Sequence, residues 1–287
     1  GVFLKTPDGS AYLRGVKGVG PGETLHVQVT GYAEPGKAIP VTHKILFKSR
    51  YAIVTPDAPG LNLSRSIRDD DLRDGLLELA HEGMEGSTMG LILRSASAGA
   101  DPAEVADDIA AMRRLAEDVV ADTVVGPELL VEGDGPHVLA WRDWVEPADV
   151  VTDAGCFAGH GALDGLDAAR SAHVPLGERA SLSAEATRAL VAVDVNTGAD
   201  GSFSAGLKAN LACARALPIA LRVRGRGGQI VIDLAPMPKK ERRTFEVALR
   251  AALRRDDSDT VMAGWTPLGH YELQRKRVRL PLTEVLG

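Results

Sequence analysis

The sequence predicts a multi-domain protein of mixed α+β and α/β class, and three patterns indicate this. Short apolar runs separated by Pro and Gly fill the first ~48 residues, which is typical of small β-sheets. From about residue 50, strand-length runs alternate with amphipathic helical stretches. In the last third, two strand patterns flank a helical segment, as in a βαβ unit. At 287 residues, the chain is long enough for more than one domain.

Composition limits the compartments and protein classes that fit. No apolar run approaches the ~20 residues of a membrane helix, and the first residues lack the features of a signal peptide. The missing initiator Met suggests an incomplete N-terminus. Cys156 and Cys213 lie far apart without metal-ligand spacing. We therefore expect a cytoplasmic protein without membrane contact and without zinc.

The net charge of −6 argues against a protein that binds nucleic acid through a diffuse basic surface. It leaves room for a metal site and a local basic stripe on an otherwise acidic protein. Two runs of basic residues are candidates for such a stripe: Lys239, Lys240, Arg242 and Arg243, and then Arg275, Lys276, Arg277 and Arg279. The alternative is that both runs form ordinary solvated faces.

The N-terminal segment predicts three short strands, at 2–4, 24–29 and 38–41. Such strands suit part of a small antiparallel barrel, for example an OB-fold. OB-folds bind single-stranded nucleic acid by stacking bases on aromatic side chains. Phe3, Tyr12 and Tyr32 are the aromatic residues available here, although Phe3 equally suits a core position.

The segment from about 50 to 145 predicts alternating strands and helices. The predicted strands are 51–54, 89–95, 129–131 and 138–141, and the predicted helices are 69–82 and 102–120. Arg94 and Ser95 stand at the end of one strand, where a guanidinium fork and a hydroxyl could bind a phosphate. The alternative is an ordinary surface arginine at a strand end.

Two apolar strand patterns that end in aspartate point to catalytic chemistry. They run from 190 to 198 and from 227 to 234, and their composition favours strands buried on both faces. Asp194 and Asp233 would then need compensation for desolvation, which a divalent cation with oxygen ligands can provide. Asn196 points to the same side of its strand as Asp194. The alternative is that each aspartate caps a helix or forms a turn.

Two helices complete the C-terminal pattern. The segment 203–221 predicts the crossover helix between the two strands, and Pro218 should kink or end it. The segment 239–255 predicts an amphipathic helix. Arg222 and Arg224, just before the second strand, either contact a nucleic-acid backbone or cap the end of the crossover helix.

These motifs resemble the catalytic core of the ribonuclease E/G family. The segments that carry the resemblance are 191–198 (VAVDVNTG), 207–211 (LKANL), 221–224 (LRVR), 228–233 (GQIVID) and 269–277 (GHYELQRKR). The resemblance implies an endoribonuclease that cleaves single-stranded RNA in RNA processing or turnover. It further implies Mg²⁺, or Mn²⁺, bound by Asp194 and Asp233, with Asn196 orienting the attacking water or the phosphate.

The resemblance also implies a domain order. Residues 1–48 would be an RNA-binding OB module that lacks its opening strands, and 49–145 a 5′-sensor-like domain. Residues 146–180 would be an RNase H-like remnant, and 181–287 a DNase I-like catalytic domain. RNA-binding and 5′-phosphate-binding roles would fall on seven residues: Arg94, Ser95, Arg65, Phe3, Lys37, Arg222 and Arg224.

Departures from the family pattern keep a second function open. Arg188 replaces an acidic residue before the first motif, and Pro236 replaces another after the second. The cysteine segment that links protomers through zinc is missing, so a homodimer would assemble without it. The alternative is an RNA-binding or rRNA-processing factor with weakened or absent nuclease activity. A phosphotransfer enzyme or receiver domain is a third class, but its Lys and early acidic pair are not found.

Overall fold

The chain is described by a computed structural model that covers residues 1–33, 36–146 and 148–286. It divides into two compact units, Gly1–Asp149 and Val150–Gly287. Each unit combines β-sheet with α-helices, so the predicted mixed α/β multi-domain class is confirmed at this level.

The first sheet of the N-terminal unit has four strands, β1 (Val2–Thr6), β2 (Gly9–Leu13), β3 (Gln28–Val29) and β4 (Ile39–Thr42), in the order β1-β2-β4-β3. A small core of Ala11, Leu13 and Val41 holds it together. β1 and β2 pair antiparallel, as do β3 and β4, but β2 and β4 pair in parallel, so the expected antiparallel arrangement is wrong for that pair. Only the end of the strand predicted at 24–29 is β-structure. The core position considered for Phe3 is also wrong, because its side chain is 73% exposed.

The second sheet contains β5 (Phe47–Lys48), β6 (Ala52–Thr55), β7 (Leu61–Leu63) and β8 (Gly90–Leu93) in the order β5-β6-β8-β7. The helices α1 (Asp70–Gly83) and α2 (Pro102–Ala121) cover it, and both match their predictions. The side chain of Asp69 accepts from the Leu72 N–H at 2.9 Å, and that of Asp101 accepts from Ala103 at 2.8 Å. These N-caps fix where the two helices begin.

Two predicted strands of this unit are wrong. Residues 129–131 form no strand, and residues 138–141 lie in the helix α3 (Pro136–Asp143). Pro136 stands at the start of α3, where a missing N–H costs no helical hydrogen bond. A short apolar run does not by itself distinguish a strand from a helix.

The C-terminal unit begins with two short helices, α4 (Cys156–Gly159) and α5 (Ala162–Arg170). Its six-stranded sheet has the order β13-β14-β12-β11-β10-β9. The strands are β9 (His173–Pro175), β10 (Ser181–Ala186), β11 (Val191–Asn196), β12 (Gly228–Asp233), β13 (Thr260–Trp265) and β14 (Tyr271–Arg275). The helices are α6 (Phe203–Val223), α7 (Arg242–Leu253), which follows a 3₁₀ turn at Lys239–Glu241, and α8 (Leu282–Val285). β11 and β12 are parallel and α6 connects them, as predicted.

One face of this sheet packs against α6 and α7. Val193, Ile230, Ile232, Leu217 and Phe245 belong to the core between them. The other face carries exposed side chains, because burial alternates along β11 and β12. The predicted burial on both faces is therefore wrong. The expectation that Pro218 could end the crossover helix is also wrong, since α6 continues to Val223 with Pro218 buried in the core-facing side.

Among the described residues, no helix is both long enough and apolar enough to cross a membrane. Cys156 and Cys213 are free thiols. Burial raises the pKa of the Cys213 thiol to about 12, so this thiol is held in its unreactive protonated form.

Candidate active site

The two aspartates predicted to bind a metal lie side by side. β11 and β12 pair so that Asp194 is directly opposite Asp233. Neighbouring strands are about 4.8 Å apart, so both carboxylates project from the same face at the C-terminal ends of parallel strands. This face is the open one, and the Asp233 side chain is 67% exposed. Two like charges in this position repel each other, and a cation between them would offset the repulsion.

Asn196 fixes the direction of one carboxylate. Its Nδ2 donates to Asp194 Oδ2 at 2.6 Å, which confirms that the two side chains share a face. The chain turns sharply just beyond it, at Gly198, where φ is +72°. A Cβ atom there would lie 2.8 Å from the Arg179 carbonyl oxygen, so only glycine fits this turn.

A buried amide holds the segment that follows Asp233. Asn210 on α6 has no exposed surface. Its Nδ2 donates to the Ala235 carbonyl at 2.8 Å, and its Oδ1 accepts from the Ala235 N–H at 3.0 Å. Gly206, one turn earlier on α6, lets the Pro236 carbonyl approach closely. Asn210 therefore anchors the end of β12, a role that the sequence motif alone did not reveal.

His270 is a further neighbour of the carboxylates that sequence reasoning missed. The turn between β13 and β14 places His270 Nδ1 3.2 Å from Asp233 Oδ1. The Thr266 N–H donates to the His270 carbonyl at 2.8 Å, and the His270 N–H donates to Thr266 Oγ1 at 3.1 Å. His270 Nδ1 is buried and the contact lacks hydrogen-bond geometry. The imidazole thus packs against Asp233 and restricts its carboxylate.

The donor set fits a hard divalent cation. It offers two carboxylates and one amide oxygen on an open face, and Mg²⁺ commonly binds one or two carboxylates while keeping several waters. In the described part of the chain, no cluster of three His, Cys, Asp or Glu side chains could hold a metal.

The predicted phosphate-binding arginine is engaged inside its own unit. Arg94 Nη1 donates to the carbonyls of Arg50 and Arg142 at 3.1 and 3.0 Å, and Nη2 lies 3.0 Å from Asp143 Oδ1. Lys48 and Arg142 also pair with Asp143, at 2.7 and 3.0 Å. Burial raises the pKa of Asp143, but hydrogen bonds from Arg142 and Lys48 outweigh it and hold that pKa well below its usual range.

The other predicted RNA contacts of this unit lie on its surface. Ser95 is exposed and begins a 3₁₀ turn, Ser95–Gly99. Arg65 follows β7, which pairs in parallel with β8, so Arg65 and Arg94 lie at the same edge of the sheet. Phe3 is exposed and its ring centroid lies 5.1 Å from that of Tyr12. Lys37 is exposed just before β4. The RNA-binding roles of these residues stay predictions.

Arg222 and Arg224 are held by contacts within the C-terminal unit. Arg222 Nη1 lies 3.1 Å from Asp256 Oδ1. Arg224, which caps the C-terminal end of α6, donates to the carbonyls of Ser171, Ala220 and Ala168. Of the two roles considered for Arg224, the structure therefore supplies the helix-end contact. An RNA contact by either arginine stays a prediction.

Comparison with known proteins gives matches to one family. A sequence model of the Ribonuclease E/G family matches residues 47–154 and 145–278. The chain is similar to ribonuclease G of Salmonella typhimurium (strain SL1344), with 27% identity over 92% of this chain and 62% of that protein. Ribonuclease E of Escherichia coli (strain K12) is 25% identical over 92% of this chain and 28% of its own length.

A chloroplastic ribonuclease E/G-like protein of Arabidopsis thaliana is 36% identical over 41% of this chain and 12% of its own length. The chain spans about three fifths of the length of the ribonuclease G proteins it matches. The match of the family model covers most of the chain and includes Asp194, Asn196 and Asp233. On this basis the chain belongs to the ribonuclease E/G family.

Proposed function

We propose that this chain acts as a metal-dependent endoribonuclease that cleaves single-stranded RNA in RNA processing or turnover. The observation that carries the proposal is the direct opposition of Asp194 and Asp233 at the ends of two parallel strands, beside Asn196. The names of its relatives, ribonuclease G and ribonuclease E, support the same chemistry.

In this proposal the residues of the site have two roles, metal binding and positioning. Asp194 and Asp233 would hold Mg²⁺ or Mn²⁺. When bound, such a cation polarises the scissile phosphate and lowers the pKa of the attacking water. Asn196 holds Asp194 in place and orients the water or the phosphate. His270 and Asn210 position Asp233, His270 by contact and Asn210 by anchoring the segment after β12.

We also propose that Arg94, Ser95 and Arg65 bind the 5′-monophosphate of RNA. This assignment is supported by their position at the same end of the neighbouring strands β7 and β8. Because Arg94 pairs with Asp143, a phosphate must displace that carboxylate. RNA with a 5′-monophosphate should then be cut faster than RNA with a 5′-hydroxyl, and Arg94→Ala should remove the difference.

The finer domain assignments belong to the same proposal. The first sheet would belong to an OB module, the second to a 5′-sensor-like domain, and residues 146–180 would be an RNase H-like remnant. The six-stranded sheet with its two helices would be a DNase I-like catalytic domain. The two free cysteines agree with work in a reducing cytoplasm, where a homodimer would form without a zinc link.

The decisive experiment is cleavage of a short single-stranded RNA with and without Mg²⁺. The unmutated chain should cut only with the metal. Asp194→Asn and Asp233→Asn should reduce cleavage to background, because each removes a negatively charged metal ligand. Mn²⁺ binding, measured by electron paramagnetic resonance, should weaken in parallel.

Asp164→Asn, which changes an exposed aspartate on α5, is a matched control and should leave cleavage and metal binding unchanged. Circular dichroism would verify that all variants are folded. Full cleavage by either active-site variant would disprove the assignment. RNA binding without cleavage by the unmutated chain would disprove the nuclease function.

A further inference from the structure

Arginines gather at the end of the six-stranded sheet that lies away from the carboxylates. We call this region the arginine end and define it by Arg170, Arg222, Arg224, Arg226 and Arg275. Arg224 directly follows α6 and Arg226 precedes β12, whereas Asp233 ends β12. Arg275, at the end of β14, lies opposite Gly228, the first residue of β12. The arginine end therefore lies where β12 begins and the carboxylates lie where it ends, at opposite ends of the strands of one sheet.

A cavity of about 250 Å³ opens at the arginine end. Arg170, Arg224 and Arg226 line it, and Glu185 is the one carboxylate among its lining residues. Within the described ranges, none of these three arginines makes an ion pair. The cavity therefore carries excess positive charge, which a ligand with negative charge would neutralise.

Arg224 is buried, with 6% of its surface exposed, and its three hydrogen bonds go to neutral carbonyl groups. Burial lowers the pKa of Arg224, and the neighbouring charge of Arg226 lowers it further. Carbonyl groups satisfy N–H donors but do not cancel a charge, so the buried guanidinium stays uncompensated.

Two buried guanidinium nitrogens of the arginine end have no hydrogen-bond partner in the described part of the chain. They are Arg226 Nε and Arg275 Nη2. Arg275 is 2% exposed, and its Nη1 is taken by Asp256 at 2.5 Å and Thr260 at 2.9 Å. Both arginines line a second, smaller cavity, and Arg226 also lines the larger one. Buried N–H groups without a partner are rare, and an oxygen-rich anion would satisfy them.

We propose that the cavity at Arg226 binds a phosphate group, held by Arg226, Arg224 and Arg170, at a site separate from the carboxylate pair. Guanidinium forks match phosphate oxygens in geometry and charge. The cavity lies below the usual volume range for drug-sized ligands, so it suits one phosphate or a nucleotide-sized phosphate ester. The phosphate comes either from a free compound or from the backbone of bound RNA. The second source rests on the proposed ribonuclease function.

Isothermal titration of the whole chain with inorganic phosphate, at constant ionic strength, tests the site itself. The unmutated chain should bind saturably, and Arg226→Leu should weaken binding about 10-fold or more, because a charge-assisted contact is lost. Arg226→Lys keeps the charge without the fork and should weaken binding less. Arg254→Leu, which changes an exposed arginine at the end of α7, is the matched control and should bind as the unmutated chain does.

The outcomes separate the site from the nuclease. Absence of saturable binding, an adventitious ion only, or equal loss in Arg226→Leu and Arg254→Leu would overturn the proposal. If Arg226→Leu proves misfolded by circular dichroism, Arg226→Lys carries the test, and unchanged phosphate affinity in that variant overturns it. None of these readings requires RNA cleavage, so a failed nuclease assay leaves them intact.

A second titration identifies the source of the phosphate. A fluorescent single-stranded RNA is bound without divalent metal, so that it is not cut. If RNA backbone occupies the cavity, Arg226→Leu should weaken RNA binding and free phosphate should compete with the RNA. If a free phosphate compound is the ligand, RNA affinity should stay the same in Arg226→Leu while phosphate affinity falls. Both results support the phosphate site and differ in its occupant.

Discussion

The two ends of the six-stranded sheet carry opposite charge, and they treat that charge differently. At one end, Asp194 and Asp233 project from the open face, and the Asp233 side chain is 67% exposed. At the arginine end, Arg224 and Arg275 are buried, with 6% and 2% of their surface exposed. The carboxylates thus stay in contact with water, whereas these two guanidinium groups are shielded from it.

This difference decides what each end needs from the rest of the protein. Water screens the charge of the exposed carboxylates, so they persist without burial of a compensating charge and stay free to bind a cation. At the arginine end, two guanidinium groups are instead neutralised within the fold. Asp256 provides this for Arg222 and Arg275, and its side chain is 1% exposed. The carboxylate end should therefore affect activity more than stability, and the arginine end should affect stability strongly.

Asp256→Ala tests the stability side of this comparison and should have the largest effect. It leaves Arg222 and Arg275 without their shared carboxylate, and breaking a buried ion pair costs about 3–5 kcal/mol of unfolding free energy. Urea denaturation measures the loss. Asp194→Ala is the matched change at the exposed end and should alter the unfolding free energy by less than about 0.5 kcal/mol. Equal losses in the two variants would contradict the comparison.

Asn210→Ala asks whether the carboxylate end also depends on a buried group. The variant leaves the N–H and the carbonyl of Ala235 without partners, which should cost roughly 2–3 kcal/mol of unfolding free energy. Cleavage should fall as well, because the end of β12 loses its anchor. Asn62→Ala, at an exposed position on β7, provides the control. An unchanged unfolding free energy in Asn210→Ala would show that the two hydrogen bonds between Asn210 and Ala235 do not stabilise the fold.

The sequence predicted the carboxylate end well because its geometry follows from local rules. Strand periodicity placed Asp194 and Asn196 on one side, and a helix between two strands implied parallel pairing. The same strands were wrongly expected to be buried on both faces. Ala192 and Val231 made the runs look continuously apolar, yet Ala192 is exposed and Val231 half-buried on the open face. Residue type alone does not tell which face another layer covers.

Partners distant in the sequence were not predictable. Arg94 stood out as a phosphate ligand because it ends a strand, but nothing in the sequence indicates that Asp143 pairs with it. His270 reaches Asp233 only because β12 and β14 are neighbours and the β13–β14 turn lies beside the end of β12. Asn210 and Arg226 likewise acquire their surroundings from packing between α6 and the sheet edge. These contacts depend on tertiary structure, which single-sequence patterns do not encode.

His270→Leu sharpens the comparison at the carboxylate end. His270 Nδ1 contacts Asp233 and has no hydrogen-bond partner among the described residues, so His270 acts as a positioning residue. Removing a group that orients a metal-binding carboxylate should weaken Mn²⁺ affinity about 10-fold. Electron paramagnetic resonance of bound Mn²⁺ measures this independently of cleavage. His173→Leu, at an exposed position on β9, is the control, and equal affinities in both variants would remove His270 from the site.

Asp143 in the N-terminal unit is an intermediate case between the two ends, and it should show the smallest effect. Its side chain is 37% exposed and pairs with Lys48, Arg94 and Arg142. Solvent screens such a cluster, so Asp143→Asn should cost no more than about 1 kcal/mol of unfolding free energy at pH 7.

The pKa of Asp143 is lowered in the folded chain, so the stability that its charge contributes is present above the ordinary carboxyl pKa and is lost as pH falls below it. As pH falls below about 4, the unfolding free energies of the variant and the unmutated chain should therefore converge. Urea denaturation at several pH values would measure this. A difference that grows as pH falls would mean that Asp143 does not stabilise the fold through its charge.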